Sequence, residues 1–332
     1  MQWTHATRAD RTERDDDDVE VGGGRVSTSA PTTALPVAES PPSGAPRPSR
    51  PDRTFLGLDR AGLALALPAL LPVLVFSVYP LVQGILLGFT DARAGRDVET
   101  TVTWFDNYAQ LLGDSYFWQS FRVGLVWALS VTVLQFVASL GLARTLAIVP
   151  WAMPPVVIGI MWRLVYHPNA GILNASLRDL GLIDTNIDWL ASFSLALPAV
   201  VVVGVWAGMP QTTVVLLAAL QSVPRELHEA AAVDGAGAWR RFRAVTWHHI
   251  LPVVAAMTTL DFVWNFNSFG LVYVLTQGGP GGTTRLPLLF AYEEAFRYGN
   301  YWYAAALGNV MVLVIAAFVV VWLRRRLREA NP

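Results

Sequence analysis

The chain has 332 residues, of which 53% are hydrophobic and 15% charged, with a net charge of −1 and a mean hydropathy of +0.41. So apolar a composition with so few charges reads as an integral membrane protein surrounded by lipid, and near-neutrality gives no case for nucleic acid. There is no cysteine, and all 24 basic residues are arginine. That excludes disulfides, thiolate metal sites, a cysteine nucleophile, a Schiff-base lysine and the lysine of a Walker A phosphate loop.

Residues 1–54 are of a different composition from the rest. Asp15 to Asp18 form an acidic run, Gly22 to Gly24 follow, and Ser, Thr, Pro and Ala continue to Pro51. Such a segment buries too little apolar surface to offset its ordering entropy, and it has no apolar stretch like that of a signal peptide. It reads as a disordered cytosolic tail.

Six apolar runs follow, at about 61–89, 118–143, 147–167, 195–221, 250–276 and 301–323. Each is near or above the roughly 20 residues that a helix needs to cross a bilayer. The expected fold is all-α, a six-helix membrane domain over 55–328 with both termini in the cytoplasm. Pro68, Pro72 and Pro80 predict kinks in the first run. Orientation comes from arginine in the flanks. Arg47, Arg50, Arg53, Arg60, Arg144, Arg225, Arg240, Arg241, Arg243, Arg324, Arg325, Arg326 and Arg328 fall on one side; Arg93, Arg96, Arg178, Arg285 and Arg297 fall on the other. Arg122 and Arg163 sit near run ends on that second side, where they would snorkel.

Between runs one and two, Trp104, Phe105, Tyr108, Tyr116 and Phe117 gather in one outer loop. They fit interfacial anchors, or support for a docking surface. Runs two and three are separated only by Arg144 and its neighbours, which predicts a helical hairpin with a very tight turn.

A polar, arginine-bearing island, 222–252, splits runs four and five and so must lie outside the bilayer. Pro224 suits a first turn, with Glu226 and Glu229 near its start. Gly235 and Gly237 permit a turn. A second short helix starts near Ala238, with Trp239 and Phe242 three apart on one face. This is a helix–turn–helix knob on the water side. His228-Glu229 begins like a zinc HExxH motif, but Ala232 stands where the second His belongs.

Run five carries Asp261, Trp264, Asn265, Asn267 and Ser268. Polar groups at membrane depth are costly and line a bundle interior or a pathway, or they hydrogen-bond helices to one another. Sugar hydroxyls suit amide and carboxylate partners, and an aromatic face packs on a sugar ring. The i, i+3, i+4, i+7 spacing of Asp261, Trp264, Asn265 and Ser268 predicts one shared helix face, with Asn267 turned away.

The island's Glu229, Ala230, Ala231, Asp234, Gly235, Ala236 and Phe242, closed by Pro252, resemble the EAA signature of permease subunits of ATP-driven (ABC) importers. Trp247-His248 departs from the usual Leu-Pro. Three further stretches resemble the sugar-type branch of that family: WFDNYAQLL at 104–112, Trp206 to Pro210, and Trp264 to Phe269 followed by Leu275 to Pro280. The likeness covers about 60–328. It implies a MetI-like six-helix fold in a bacterial inner (plasma) membrane, with no cofactor of its own. It also implies three partners: a second permease subunit, an ATPase dimer that binds the ATP and receives the knob, and an extracytoplasmic solute-binding protein. In the sugar-contacting subunit of one such importer the positions matching Gly208, Gln211, Asp261, Trp264, Asn265 and Ser268 line the sugar site. Here Gln211 and Trp264 replace other aromatics and Asp261 replaces a hydroxyl. Relatives also carry a longer basic loop near Arg144. The implied function is half of a sugar translocation pathway, not an enzyme. A glycerol-phosphate or polyol permease is the alternative, although no Arg lies mid-run to pair with phosphate. A membrane enzyme would need an acid–base partner for Asp261. A secondary transporter would be expected to show internal repeats.

Overall fold

The structure, a computed structural model, describes residues 68–95, 100–142 and 153–330. The tail at 1–54 and the tight connection around Arg144 lie outside the described residues. Among those described, the regular elements are helices, with one isolated antiparallel bridge between Thr90 and Val102. In chain order they are α1 (Pro68–Leu87), α2 (Asp106–Gly113), α3 (Ser115–Leu142), α4 (Pro155–Val165), α5 (Ile172–Asp179), α6 (Ala196–Gln221) and α7 (Arg225–Val233). Then follow α8 (Ala238–Phe266), α9 (Gly270–Thr276), α10 (Pro287–Tyr292) and α11 (Tyr301–Ala330).

Five helices among the described residues are long and apolar enough to cross a membrane: α1, α3, α6, α8 and α11 through Arg324. The third apolar run contributes only the 11-residue α4, too short to span 30 Å at 1.5 Å per residue; residues 147–152 of that run are not described. Pro154 precedes α4 in an extended conformation and Pro155 takes its first position. That is where a residue without an N–H costs least.

Prolines leave their mark where expected. The turn ahead of Pro80, Leu74–Val78, is π-helical, with the Tyr79 N–H reaching back to Leu74 O. A wider turn is one way a helix accommodates a missing donor. The whole of α1 is exposed apart from its last residues, as befits a helix that is apolar all round and faces lipid or another chain.

Two expectations need correction. First, the run at 250–276 is two helices, not one. α8 ends at Phe266, Asn267 caps it, and Ser268 N–H bonds Asn265 O at 3.0 Å in a tight turn. Asn and Ser compete for backbone hydrogen bonds, and Gly270 opens the next helix. Second, the second helix of the water-side knob is not separate. It runs from Ala238 through a π-helical turn, Phe242–Thr246, directly into the membrane-length α8.

The core forms where α3 packs most extensively on α6 and next on α8. Trp127, Phe117 and Phe266 are its largest fully buried side chains. Gly204 and Gly208 are one turn apart on α6. A Cβ at Gly204 would sit 2.5 Å from the Trp127 ring, so the missing side chain is what lets α3 approach. α11 closes over α1 and α2: Asn309 donates to Ile85 O and to Tyr108 Oη, and Asn107 donates to Gly88 O and Thr90 O. Asn107 of α2 thus satisfies carbonyls left over at the end of α1.

Candidate functional site

A cavity of about 500 Å³ opens where α3, α4, α6, α8 and α9 meet, and Gly208, Gln211, Asp261, Trp264, Asn265 and Ser268 all line it. Ser268 arrives by a different route from the one its spacing suggested. It lies beyond the end of α8, in the turn that leads to α9. Trp264 is 54% exposed and presents its indole there, whereas Asn267 is exposed and donates to Val263 O at 2.9 Å.

Asp261 is 4% exposed and sits in a three-helix hydrogen-bond cluster. Gln135 of α3 donates from Nε2 to Thr212 Oγ1 of α6 and, at 3.4 Å, to Asp261 Oδ2 of α8. The Thr212 hydroxyl donates to the same Oδ2 at 3.1 Å. A carboxylate at membrane depth is tolerated only with such partners. Both bonds fall on Oδ2; among the described residues Oδ1 accepts none, and the residue lines the cavity. Gly208 makes the cluster possible, because a Cβ there would fall within 3.0 Å of three atoms of the Gln135 amide.

Asn265 plays a second part as well. Its Nδ2 donates to Thr132 Oγ1 at 3.3 Å, and its carbonyl accepts from Trp127 Nε1 at 3.0 Å. Helix bonding and cavity lining therefore meet in one residue. Gln211 is half-buried on α6, and its side-chain amide makes no hydrogen bond among the described residues.

Sequence reasoning did not find Gln135, Thr212 or Trp127. Their signal was faint but present. Gln135 is the one amide between Arg122 and the end of α3, and Thr212 follows the Pro210-Gln211 pair.

The knob comprises α7 and the first turns of α8. α7 ends in a Schellman motif: Ala236 N–H bonds Ala231 O and Gly235 N–H bonds Ala232 O, each at 3.0 Å. Gly235 stands at φ +74°, the left-handed position that glycine fills at least cost. Glu229, Ala230, Asp234 and Gly235 are exposed, with Ala231, Ala236 and Phe242 half-buried. Val233 at 88% and Trp239 at 74% exposure leave an apolar face uncovered. From it a series of rings leads inward: Trp239 stacks on Phe242 at 5.6 Å, Phe242 lies 6.4 Å from Trp247, and Trp247 lies 6.3 Å from Phe136 on α3. Trp247 thus joins the knob to the bundle.

A helical bundle with a membrane-depth polar cavity and an exposed helix–turn knob is the architecture of an importer's membrane subunit. Residues 120–329 match the family model described as binding-protein-dependent transport system inner membrane component, and the chain belongs to that family. A probable ABC transporter permease protein of Brucella suis is 38% identical over 55% of this chain, a match spanning 63% of the relative's length. The trehalose/maltose transport system permease protein of Thermococcus litoralis is 30% identical, over 80% of this chain and 93% of its own. The fold is that of a solved bacterial ABC transporter involved in import of the acidic polysaccharide alginate, at a TM-score of 0.68 and 19% identity, covering 80% of this chain and 94% of the other.

Proposed function

We propose that the chain is a permease subunit of an ATP-driven saccharide importer, with the cavity at Asp261 as its part of the translocation pathway. The observation that carries this reading is the lining of that one cavity: the indole of Trp264 beside the amide and hydroxyl groups of Gln211, Asn265 and Ser268. Its volume of about 500 Å³ lies in the ordinary range of small-molecule sites, about 300–1,000 Å³. A flat aromatic face with convergent hydrogen-bonding groups suits a sugar ring and its hydroxyls, and the named trehalose/maltose relative supports the same class.

In this reading α4 belongs to a sixth spanning segment, and both termini and the knob lie in the cytoplasm of a bacterial cell. The chain pairs with a second permease subunit. Glu229, Ala230, Ala231, Asp234, Gly235, Ala236 and Phe242 form the surface that docks on an ATPase dimer, which binds the ATP. A solute-binding protein delivers the saccharide from outside. ATP-driven closure of the ATPases then draws the knobs together and rocks the bundles about the cavity.

Gln211→Ala tests the reading, because the Gln211 amide makes no hydrogen bond among the described residues and its loss removes no packing bond there. In the reconstituted importer the variant should assemble normally and take up labelled saccharide more slowly. Undiminished uptake across a panel that the wild type transports would defeat the pathway assignment.

A further inference from the structure

One ionisable side chain among the described residues lines the cavity, and it is acidic: Asp261. Among the described residues that line it there is no Arg or His beside Asp261, and the chain has no lysine. The two groups that hold Asp261, the Gln135 amide and the Thr212 hydroxyl, are neutral donors, so they orient the carboxylate without cancelling its charge. Two helix ends meet at the cavity with opposite partial charges, the carboxyl end of α8 and the amino end of the short α9. That leaves the net sign to Asp261. Its Oδ1 takes no bond among the described residues. A hydroxyl or an ammonium could donate to it; a carboxylate or phosphate would meet a like charge, with no cation among the described lining residues to compensate.

Resting on the saccharide reading, we infer that this cavity selects by charge: it accepts neutral and amine-bearing saccharides and rejects those carrying carboxylate or phosphate groups. Trp264 acts in the same direction, because the face of an indole is electron-rich and attracts cations rather than anions, and this half-exposed residue lines the cavity.

The test uses the whole importer, assembled with its second permease subunit and ATPases in nanodiscs, without the binding protein. It is titrated with α- and β-linked glucose trisaccharides, each in neutral, 2-amino and C6-carboxylate form. For any backbone that binds, the carboxylate form should bind about a hundredfold more weakly than its neutral parent, the factor expected for a like charge about 6 Å away at an effective dielectric of about 20. Asp261→Asn, which keeps an acceptor for Thr212, should shrink that ratio below about tenfold. Gln211→Glu adds a second carboxylate to the lining without touching the buried cluster, and should raise the preference for the amine form over the neutral one by about tenfold. A carboxylate form bound as tightly as its neutral parent overturns the inference, as does a ratio that neither substitution moves. Binding of no backbone in any form overturns the saccharide reading itself, which separates the two failures.

Discussion

Gly208→Ala should reverse its sign with the identity of residue 135. In an ordinary helix interior the change is favourable by about 0.5–1 kcal/mol, because alanine loses less backbone freedom on folding. Here the new Cβ falls on the Gln135 amide, within 3.0 Å of three of its atoms. The amide is the end of a flexible side chain and can move, but moving it breaks its bonds to Thr212 and Asp261. Two buried bonds, one of them to a carboxylate, are together worth about 2–5 kcal/mol once the stranded groups are included. Subtracting the helix gain leaves a net loss of about 1–4 kcal/mol in the wild-type background. In a Gln135→Ala background there is no amide to displace, and Gly208→Ala should be neutral or stabilising by up to about 1 kcal/mol. The assay is a double-mutant cycle on unfolding free energies measured in mixed micelles, with assembled complex quantified beside it. An equal cost in both backgrounds would mean that α3 and α6 close on one another for reasons unrelated to Gln135. The assignment of Gly208 as the opening for that side chain would then fail.

The other predictions concern the knob, the tail and the ring series. Glu229→Ala should weaken co-purification of the ATPase and slow uptake without unfolding the bundle, since Glu229 is exposed on α7; full ATPase retention with unchanged uptake would remove its coupling role. Gly235→Pro should do so more strongly, because proline holds φ near −65° where the turn requires +74°, while the detergent-solubilised chain keeps its helical circular dichroism. Removal of residues 1–50, which carry no apolar segment, should leave insertion and uptake nearly intact; collapse of uptake at normal expression would assign the tail a role. Trp247→Ala should cost about 1–3 kcal/mol, less than a fully buried aromatic because its ring is only half-buried, and should lower ATPase-coupled uptake more than ATPase binding; a matching loss of both would make it purely structural.

How much of this was legible in the sequence follows from what periodicity can and cannot register. Apolar length alone marks α1, α3, α6, α8 and α11, because lipid demands long uninterrupted helices and little else satisfies a 20-residue apolar run. The knob was legible because a polar island between two apolar runs must leave the bilayer, and of the two glycines that permit its turn Gly235 takes the left-handed position. The break at 267–269 was not. Asn267 and Ser268 lie inside a run that stays apolar on both sides, and an average over a window does not see one lost hydrogen-bonded turn. The same blindness placed Ser268 on the face of α8, which ends before it, and left the knob's second helix as a separate short one, when it continues into the membrane-length α8.

The buried cluster was hidden for a different reason. A lone Gln on an apolar helix has no visible partner until the facing helices are known, and the decisive residue, Gly208, acts through an atom it lacks. Asn265 brings the two problems together. Its Nδ2 holds Thr132 on α3 while its carbonyl receives Trp127, so truncating it removes helix contacts and cavity lining at once. A loss of uptake in Asn265→Ala therefore cannot by itself distinguish a ligand from a strut. Gln211 can, since its amide bonds no other group among the described residues and still borders the same cavity. If the Asp261 cavity is the pathway, Gln211→Ala lowers uptake at full assembly, and Asn265→Ala lowers both. If α3, α6 and α8 meet there only to pack, Gln211→Ala is silent and Asn265→Ala still loses assembly. The ordering of those two variants, more than the size of either effect, decides what the cavity is for.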